Sequence, residues 1–158
     1  VWVPGGTYFF TVNLLERRRR LLVDRIDDLR AAFREARAAR PFEIIAMVVL
    51  PDHLHCLWQL PPGDADNANR WARIKAGFSR RVPVDECRKG RTTRRERGIW
   101  QRRYWEHVIR DNDELRRHVE YIHFNPVKHG HSPRPVDWPH SSFAQWVARG
   151  DYPVNWAG

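Results

Sequence analysis

Residues 42–60, FEIIAMVVLPDHLHCLWQL, contain the segment that decides the fold. Residues 42–50 are almost continuously apolar, which is typical of a strand buried on both faces. Residues 53–60 form a second short apolar run, and Pro51 and Asp52 between the runs favour a tight turn. The two runs therefore predict a β-hairpin near the centre of a sheet.

Upstream of this hairpin, the sequence predicts one strand and one helix. Residues 7–14, TYFFTVNL, place apolar side chains on one face at a period of two, as a half-buried strand does. Residues 17–40 carry apolar side chains at steps of three and four, which indicates an amphipathic helix. The arginines of that segment fall on the opposite, solvent-facing side.

Downstream of the hairpin, the sequence predicts two further helices and one strand. The predicted elements are a polar loop over 61–69, a helix containing Trp71 that ends at Pro83, a basic loop over 85–98, a strand over 99–109, and a helix from Asp111 to Pro126 and Gly130. Glu114 lies three residues after Asp111, the spacing of a capping box.

The order of elements is therefore β-α-β-β-α-β-α. A hairpin flanked by βα units is the split βαβ, ferredoxin-like pattern of the α+β class: an antiparallel sheet with helices on one side, followed here by an extra helix. A length of 158 residues fits one domain. We expect residues 1–130 to form it and residues 131–158, rich in Pro, Trp and Ser, to wrap on it as a tail that covers a groove or closes the sheet edge.

The positive charge is concentrated in one segment. The chain has 28 basic and 19 acidic residues, a net charge of +9, while residues 70–103 alone carry a net +10. Such clustering is typical of a surface that binds a polyanion. Twenty-five of the cations are arginine, which suits phosphate recognition, although a GC-rich genome also produces this bias.

We expect the basic segment to contact phosphates without reading sequence. The candidate DNA-binding residues are Arg70, Arg73, Lys75, Arg80, Arg81, Arg88, Arg91, Arg94, Arg95, Arg102 and Arg103. Trp100, Tyr104 and Trp105 interleave with the last of these, and for them core packing is favoured over stacking on bases. For residues 17–20, four consecutive arginines, a solvated helix start is favoured over a DNA contact.

Cysteine use and hydropathy indicate a compartment. Cys56 and Cys87 are too few for a disulfide framework, which favours a reducing, cytoplasmic environment. No apolar run approaches the ~20 residues needed to span a bilayer, and no segment resembles a signal peptide.

The segment 52–58, DHLHCLW, carries the first chemically informative pattern. On a strand, His53 and His55 point to one face, while Leu54, Cys56 and Trp58 point to the other. Two imidazoles on a rigid strand can supply two ligands to a divalent metal. A His-x-His pair also arises by chance in a chain with eight histidines.

The predicted third helix carries the second pattern. Tyr121 and Asn125 are four residues apart and share a helical face, with His118 one turn earlier. By spacing alone, simple packing of the Tyr121 ring is favoured. His107 is expected to be a buried hydrogen-bonding residue, whereas His118 is either a partner of the site or exposed. His123, His129, His131 and His140 are expected at the surface.

Several segments together resemble the REP-associated tyrosine transposases, domesticated relatives of the single-tyrosine HUH transposases. They are PGGTYFFT, LPDHLHCLW, RWARIKAGFSRR, IWQRRYWEHVIRD, HVEYIHFNPVKHG and WPHSSF, in this order along nearly the whole chain. The ordered set is far more specific than the His-x-His pair alone.

The resemblance implies roles for individual residues. His53 and His55 would bind a catalytic divalent metal, Tyr121 would be the nucleophile, and Asn125 would complete the metal site, where many relatives have Gln. Histidine and amide ligands suit Mg²⁺ or Mn²⁺, whereas Zn²⁺ prefers thiolates and Cys56 is expected on the opposite face. Proline disfavours helical geometry at the residue before it, so Pro126 is expected to end or kink the helix at Asn125.

The resemblance also implies a reaction and a partner. Tyr121 would attack single-stranded DNA at REP-type hairpins, giving a 5′-phosphotyrosine link and a free 3′-hydroxyl in the cytoplasm of a bacterium, at its nucleoid. A monomer is favoured, with a dimer left open. Two alternatives are an inactive hairpin-binding protein and a replication or conjugation nuclease of the wider HUH class; chains of that class are longer.

Overall fold

A computed structural model describes residues 3–83 and 98–158, and its centre is an antiparallel sheet. The strands are β1 (Thr7–Asn13), β2 (Glu43–Val49), β3 (His53–Gln59) and β4 (Trp105–Val108). Their spatial order is β2-β3-β1-β4, with every neighbouring pair antiparallel. The predicted hairpin is the β2–β3 pair, and the predicted ferredoxin-like fold class is confirmed. The predicted central position of the first hairpin strand is wrong, because β2 is an edge strand of the sheet.

Five α-helices accompany the sheet in the described ranges. They are α1 (Leu21–Asp24), α2 (Ile26–Ala39), α3 (Asn67–Arg81), α4 (Asn112–Lys128) and α5 (Phe143–Ala148). Within residues 3–83 and 98–158, none of the helices has the length and apolar character needed to cross a membrane.

The alternation of side chains along the strands divides the core into two layers. On one face, α2 and α3 pack against residues such as Phe10 and Trp58. On the other face, Phe9 and Leu57 pack against the apolar side of α4, with Val119 at its centre. The two ferredoxin-like helices therefore share one side of the sheet, as predicted, and the extra helix α4 covers the opposite side.

Three predicted boundaries before helix α4 are wrong. The segment 17–40 is not one helix, because Arg25 leaves helical geometry between α1 and α2. Helix α3 begins earlier than expected, at Asn67, because the Asp66 side chain accepts a hydrogen bond from the Asn69 backbone N–H and caps the helix. The strand expected over 99–109 shortens to β4, and Trp100 contributes only an isolated bridge.

Helix α4 continues past Pro126, contrary to prediction, and ends after Lys128. Gly130 has a left-handed φ of 74°. Its N–H donates to the Val127 carbonyl, and the His131 N–H donates to the Pro126 carbonyl. These two hydrogen bonds form a Schellman motif, which satisfies the carbonyls of Pro126 and Val127 and ends the helix about one turn after the proline. Asn125 therefore remains inside the helix.

The C-terminal segment from residue 131 packs along the outer edge of β2. Ser141 bridges to Val48, and the indole N–H groups of Trp138 and Trp146 donate to carbonyls of β2. These contacts occupy backbone groups that an edge strand otherwise leaves unpaired. Two roles are expected for the tail, covering a groove or closing the sheet edge. These contacts correspond to closing the sheet edge.

Candidate active site

His53 and His55 lie side by side on the face of β3 that α4 covers. Their ring centroids are 5.0 Å apart, and the residues are 7% and 4% exposed. The alternation of the strand sends Cys56 into the opposite layer, as predicted. The sheet therefore holds two imidazoles in a fixed, nearly dry position.

The tautomer of His53 is set by its neighbour Asp52. The His53 Nδ1 lies 2.7 Å from the Asp52 carboxylate, which only accepts hydrogen bonds when ionised, so Nδ1 carries the proton. Burial raises the pKa of Asp52, but hydrogen bonds from Arg17 and His53 outweigh it and hold that pKa below its usual value. Burial lowers the pKa of His53 despite the carboxylate. The ring is neutral, with its Nε2 lone pair available.

His55 is held by the neighbouring strand. Its Nδ1 lies 2.8 Å from the Thr11 hydroxyl, while its buried Nε2 meets no hydrogen-bond partner in the part of the chain that the structure describes. Burial is the first cause that lowers the pKa of His55 to about 3, followed by repulsion from His53 and His129 when they are protonated and from Lys128. A neutral imidazole with an unpaired, buried nitrogen has the state that a metal ligand requires.

Asn125 faces the histidine pair from α4. One turn before it, the Tyr121 ring lies 5.4 Å from the His55 ring; one turn after it, the His129 ring lies 5.5 Å from the His53 ring. Asn125 lies between these two contacts on the same helical face. It is fully buried, and neither its Oδ1 nor its Nδ2 has a partner among the described residues.

These three residues fit a divalent cation through two imidazole nitrogens and an amide oxygen. A buried amide without partners is costly unless a ligand satisfies it, so the orphaned atoms point to such a ligand. Within the described ranges, no group of three or more His, Cys, Asp or Glu side chains is arranged to hold a metal. Three protein donors are fewer than the six that Mg²⁺ takes, so a cation held here would have positions left for water or substrate oxygens.

Tyr121 stands at the exposed rim of this site. The residue is 38% exposed, and its ring meets His55 and Phe9 edge-on. The Lys128 ammonium lies 5.0 Å from the ring centroid. The hydroxyl-bearing residue is thus next to the histidine pair, in reach of solvent and beside a cation, which suits attack on a phosphate.

The predicted DNA-binding cations of α3 lie elsewhere. Arg70 is 1% exposed and donates to Asp64 and to the carbonyls of Arg40 and Pro41, which excludes a direct DNA contact. The ammonium of Lys75 donates to the Gln101 carbonyl, and burial lowers the pKa of Lys75 to about 8.

The other three cations of α3 face away from Tyr121. Arg81 pairs with Glu35 at 2.5 Å, and Arg80 approaches the same carboxylate at 3.7 Å. Arg73 and Arg80 line a groove between α2 and α3, on the far side of the sheet from the histidine pair. The predicted positive surface beside the active face therefore does not include α3, because sequence clustering does not show which face a helix presents.

The remaining predicted cations follow α3. Arg102 and Arg103 are exposed just before β4. The other four predicted contacts lie outside the described residues: Arg88, Arg91, Arg94 and Arg95. Of the three interleaved aromatics, Trp100 and Tyr104 pack in the core as expected, but Trp105 is 64% exposed because it faces outward at the sheet edge.

The remaining histidines differ partly from expectation. His107 forms a hydrogen bond with the buried Glu114 carboxylate. The His118 ring stacks on the His107 ring, with the ring centroids 5.5 Å apart. His123 is fully buried, not at the surface. His129 is exposed, as expected, and its ring lies next to that of His53. The sequence signal for this contact is that Tyr121, Asn125 and His129 follow one another at intervals of four residues, on one face of the helix.

Comparisons with known proteins show the family of this chain. Residues 6–125 match the family described as "Transposase IS200 like". The chain belongs to the IS200-like transposase family. The histidine pair, Tyr121 and Asn125 all lie within the matched residues. This transposase is an enzyme of the class that cleaves and rejoins DNA.

Similar proteins cover nearly the whole chain. The REP-associated tyrosine transposase of Escherichia coli (strain K12) is 47% identical over 157 residues, covering 99% of this chain and 88% of the relative. The putative REP-associated tyrosine transposase of Haemophilus influenzae (strain ATCC 51907 / DSM 11121 / KW20 / Rd) is 47% identical over 160 residues, covering 99% and 90%.

Solved structures extend the comparison to the fold. A REP-associated tyrosine transposase bound to a REP hairpin matches this transposase with a TM-score of 0.89 and 47% identity, covering 100% of this chain and 88% of that one. A putative transposase from Deinococcus radiodurans R1, 18% identical, has a TM-score of 0.51 and covers 83% and 95%. At that identity, the second match supports the fold alone.

Proposed function

We propose that this transposase cuts and rejoins single-stranded DNA at REP-type hairpins, with Tyr121 as the nucleophile. The observation that carries the proposal is the 5.4 Å separation between the rings of Tyr121 and His55, whose Nε2 is buried and lacks a partner in the described chain. An exposed tyrosine at a buried, neutral histidine pair is the arrangement that attack on a phosphodiester needs.

The reaction conserves the number of phosphodiester bonds. The Tyr121 oxygen attacks phosphorus and loses its proton, the bond from phosphorus to the 3′ oxygen breaks, and that oxygen leaves and takes up a proton. The products are a 5′-phosphotyrosine link and a free 3′-hydroxyl. Attack of a 3′-hydroxyl on the link reverses the step and rejoins strands.

His53, His55 and Asn125 would hold the divalent cation, Mg²⁺ or Mn²⁺. When bound there, such an ion offsets the negative charge that develops on the phosphate oxygens. The protein's part is to keep both imidazoles neutral by burial and to fix the His53 tautomer through Asp52. Transposases of this family are generally metal-dependent, which supports the assignment.

A hairpin partner is supported by the solved relative that is bound to a REP hairpin. In this chain, the exposed Arg102 and Arg103 precede the edge strand next to the site, and Lys128 lies beside Tyr121. These cations are suited to hold the phosphates of a strand that crosses the site. With its nucleophile and histidine pair in one chain, the transposase is proposed to act as a monomer, at the DNA of the bacterial nucleoid.

The test uses a labelled single-stranded hairpin oligonucleotide with Mg²⁺ or Mn²⁺. We expect a covalent protein–DNA adduct that survives denaturation and disappears in Tyr121→Phe or with a chelator. Tyr121→Phe should still bind the hairpin, which separates lost chemistry from lost folding. An adduct that persists in Tyr121→Phe would refute the nucleophile. Hairpin binding without any adduct in the wild type would favour the alternative, an inactive DNA-binding protein.

A further inference from the structure

A pocket of about 380 Å³ opens beside Tyr121. It is lined by Phe9, Thr11, Trp105, Arg117, His118 and Tyr121. Its volume lies within the range of sites that bind small organic groups. The reaction described above assigns no role to Trp105, Arg117 or His118.

Trp105 is the unusual member of this lining. At 64% exposure, it is the most exposed of the large hydrophobic side chains in the described chain. It lies opposite Thr11 in the β1–β4 register, and Thr11 in turn holds the His55 ring. The Trp105 side chain is therefore on the same face of the sheet as Thr11 and the proposed metal site. Most of its surface is exposed to solvent and so is open to a ligand.

The other walls are aromatic or cationic. Phe9 and His118 contact each other with ring centroids 4.8 Å apart. The Nδ1 of His118 donates to the Glu114 carbonyl at 2.8 Å, which fixes the orientation of the ring. Arg117 lies one turn before Tyr121 on the same side of α4. Flat aromatic surfaces with a guanidinium at the rim match a nucleobase and the phosphate attached to it.

Resting on the proposed function, we propose that this pocket receives the unpaired nucleobase that adjoins the phosphate attacked by Tyr121. Trp105 stacks on the base, and Arg117 contacts the next phosphate along the strand. Because Tyr121 itself forms one wall, a base seated here brings its own backbone to the nucleophile. Trp105 and Arg117 are thus positioning residues for the scissile bond.

The test compares intact hairpins with hairpins that carry one abasic site. The cleaved phosphate is first mapped from the adduct length, and abasic sites are then placed one at a time on either side. When the abasic site is at one of the positions next to the cleaved phosphate, the rate of adduct formation by wild type should fall by on the order of tenfold. This is the size of effect expected from one lost stacking contact. Trp105→Ala should be slowed to a similar extent on the intact hairpin and show no further loss at that position, whereas Trp105→Phe should behave as wild type.

A second readout does not depend on cleavage. With 2-aminopurine at the responding position, wild type in chelator should quench the fluorescence, and Trp105→Ala should not. Arg117→Ala should reduce the slope of log Kd against log salt by about 0.7, the share of one phosphate contact. Its matched control is Arg116→Ala, since Arg116 is exposed and paired with Asp113 at 3.6 Å; it should change the slope less.

The outcomes separate the two proposals. A wild type that forms no adduct refutes the proposed function. A different result is that the wild type forms the adduct while Trp105→Ala stays as sensitive as wild type to every abasic position. That result refutes base binding in the pocket and leaves the proposed function intact. Equal salt slopes for the variants at 116 and 117 would refute the phosphate contact.

Discussion

At the scale of single residues, two buried asparagines differ in whether protein groups satisfy their polar atoms. Asn67 is 1% exposed, its Nδ2 donates to Glu106, and its Oδ1 accepts from the Tyr104 hydroxyl. Asn125 is equally buried, yet both its polar atoms lack partners among the residues described. The amide of Asn67 is therefore satisfied by protein groups, whereas no group of the described chain satisfies the amide of Asn125.

We predict opposite stability effects for leucine substitutions at these positions. With metal removed by EDTA, Asn125→Leu should raise the free energy of unfolding by about 1 kcal/mol, because it removes an unsatisfied buried amide. Asn67→Leu should lower it by about 2 kcal/mol, because it leaves Tyr104 and Glu106 unpaired. Urea denaturation of both variants measures this. Equal losses of unfolding free energy in the two variants would show that Asn125 makes a hydrogen bond within the protein. Asn125→Leu should also abolish formation of the protein–DNA adduct.

At the scale of secondary-structure elements, Arg70 joins α3 to the end of α2. Its guanidinium donates to the Arg40 and Pro41 carbonyls and to the Asp64 carboxylate. The hydrogen bond from Arg70 is the main reason that the pKa of Asp64 is lowered to about 2. Cation clustering predicts DNA binding for Arg70. A count of charges does not show that its guanidinium is bound by nearby Asp64 and by the carbonyls of Arg40 and Pro41, which are distant in sequence.

Arg70→Met should therefore destabilise the fold without weakening DNA binding per folded molecule. The expected loss is about 3 kcal/mol in the free energy of unfolding, because the substitution leaves Asp64 and two carbonyls without their donor. Arg73→Met, at an exposed position of the same helix, is the control and should change stability by less than about 0.5 kcal/mol. Urea denaturation and hairpin binding, both done on each variant, distinguish the roles. A loss of hairpin affinity in folded Arg70→Met would instead support a direct contact between Arg70 and DNA.

Helix α4 is joined to the C-terminal segment by His123. Its Nε2 lies 2.8 Å from the Ser142 hydroxyl and its Nδ1 lies 3.2 Å from the Tyr152 hydroxyl. Burial, with a smaller contribution from Arg149, lowers the pKa of His123 to about 4. Above pH 6.5 the ring is neutral in both states. Below it, the unfolded chain binds a proton that the folded chain does not, so stability falls until pH reaches about 4.

We predict that His123 contributes about 3 kcal/mol to acid destabilisation between these pH values. His123→Gln should lose correspondingly less stability than wild type between pH 7 and pH 4 in urea denaturation. His131→Gln is the control, since His131 is exposed, and it should follow the wild-type curve. If His123→Gln also follows that curve, burial of His123 is not a source of acid sensitivity.

At the scale of the whole molecule, periodicity predicted which elements form and in what order. The apolar run of β2 and the His-x-His alternation of β3 are local patterns, so the hairpin and the orientation of both histidines could be predicted. The extension of α4 past Pro126 could not, because it depends on the bonds closed by Gly130. Nor could the outward position of Trp105, since the edge of a sheet is defined only after the strands are ordered.

The placement of Tyr121 and His55 in one polypeptide has a kinetic consequence. In the proposed monomer, each copy acts with its own Tyr121 and His55, so the fraction of bound hairpin converted to adduct per unit time should not change when the enzyme is diluted tenfold. For the same reason, a mixture of Tyr121→Phe and His55→Ala molecules should remain inactive, since neither defect is complemented in trans. Activity restored by mixing would mean that copies exchange α4. Without such exchange, two cleavages at separate hairpins are independent events, and their joining depends on the local concentration of DNA ends.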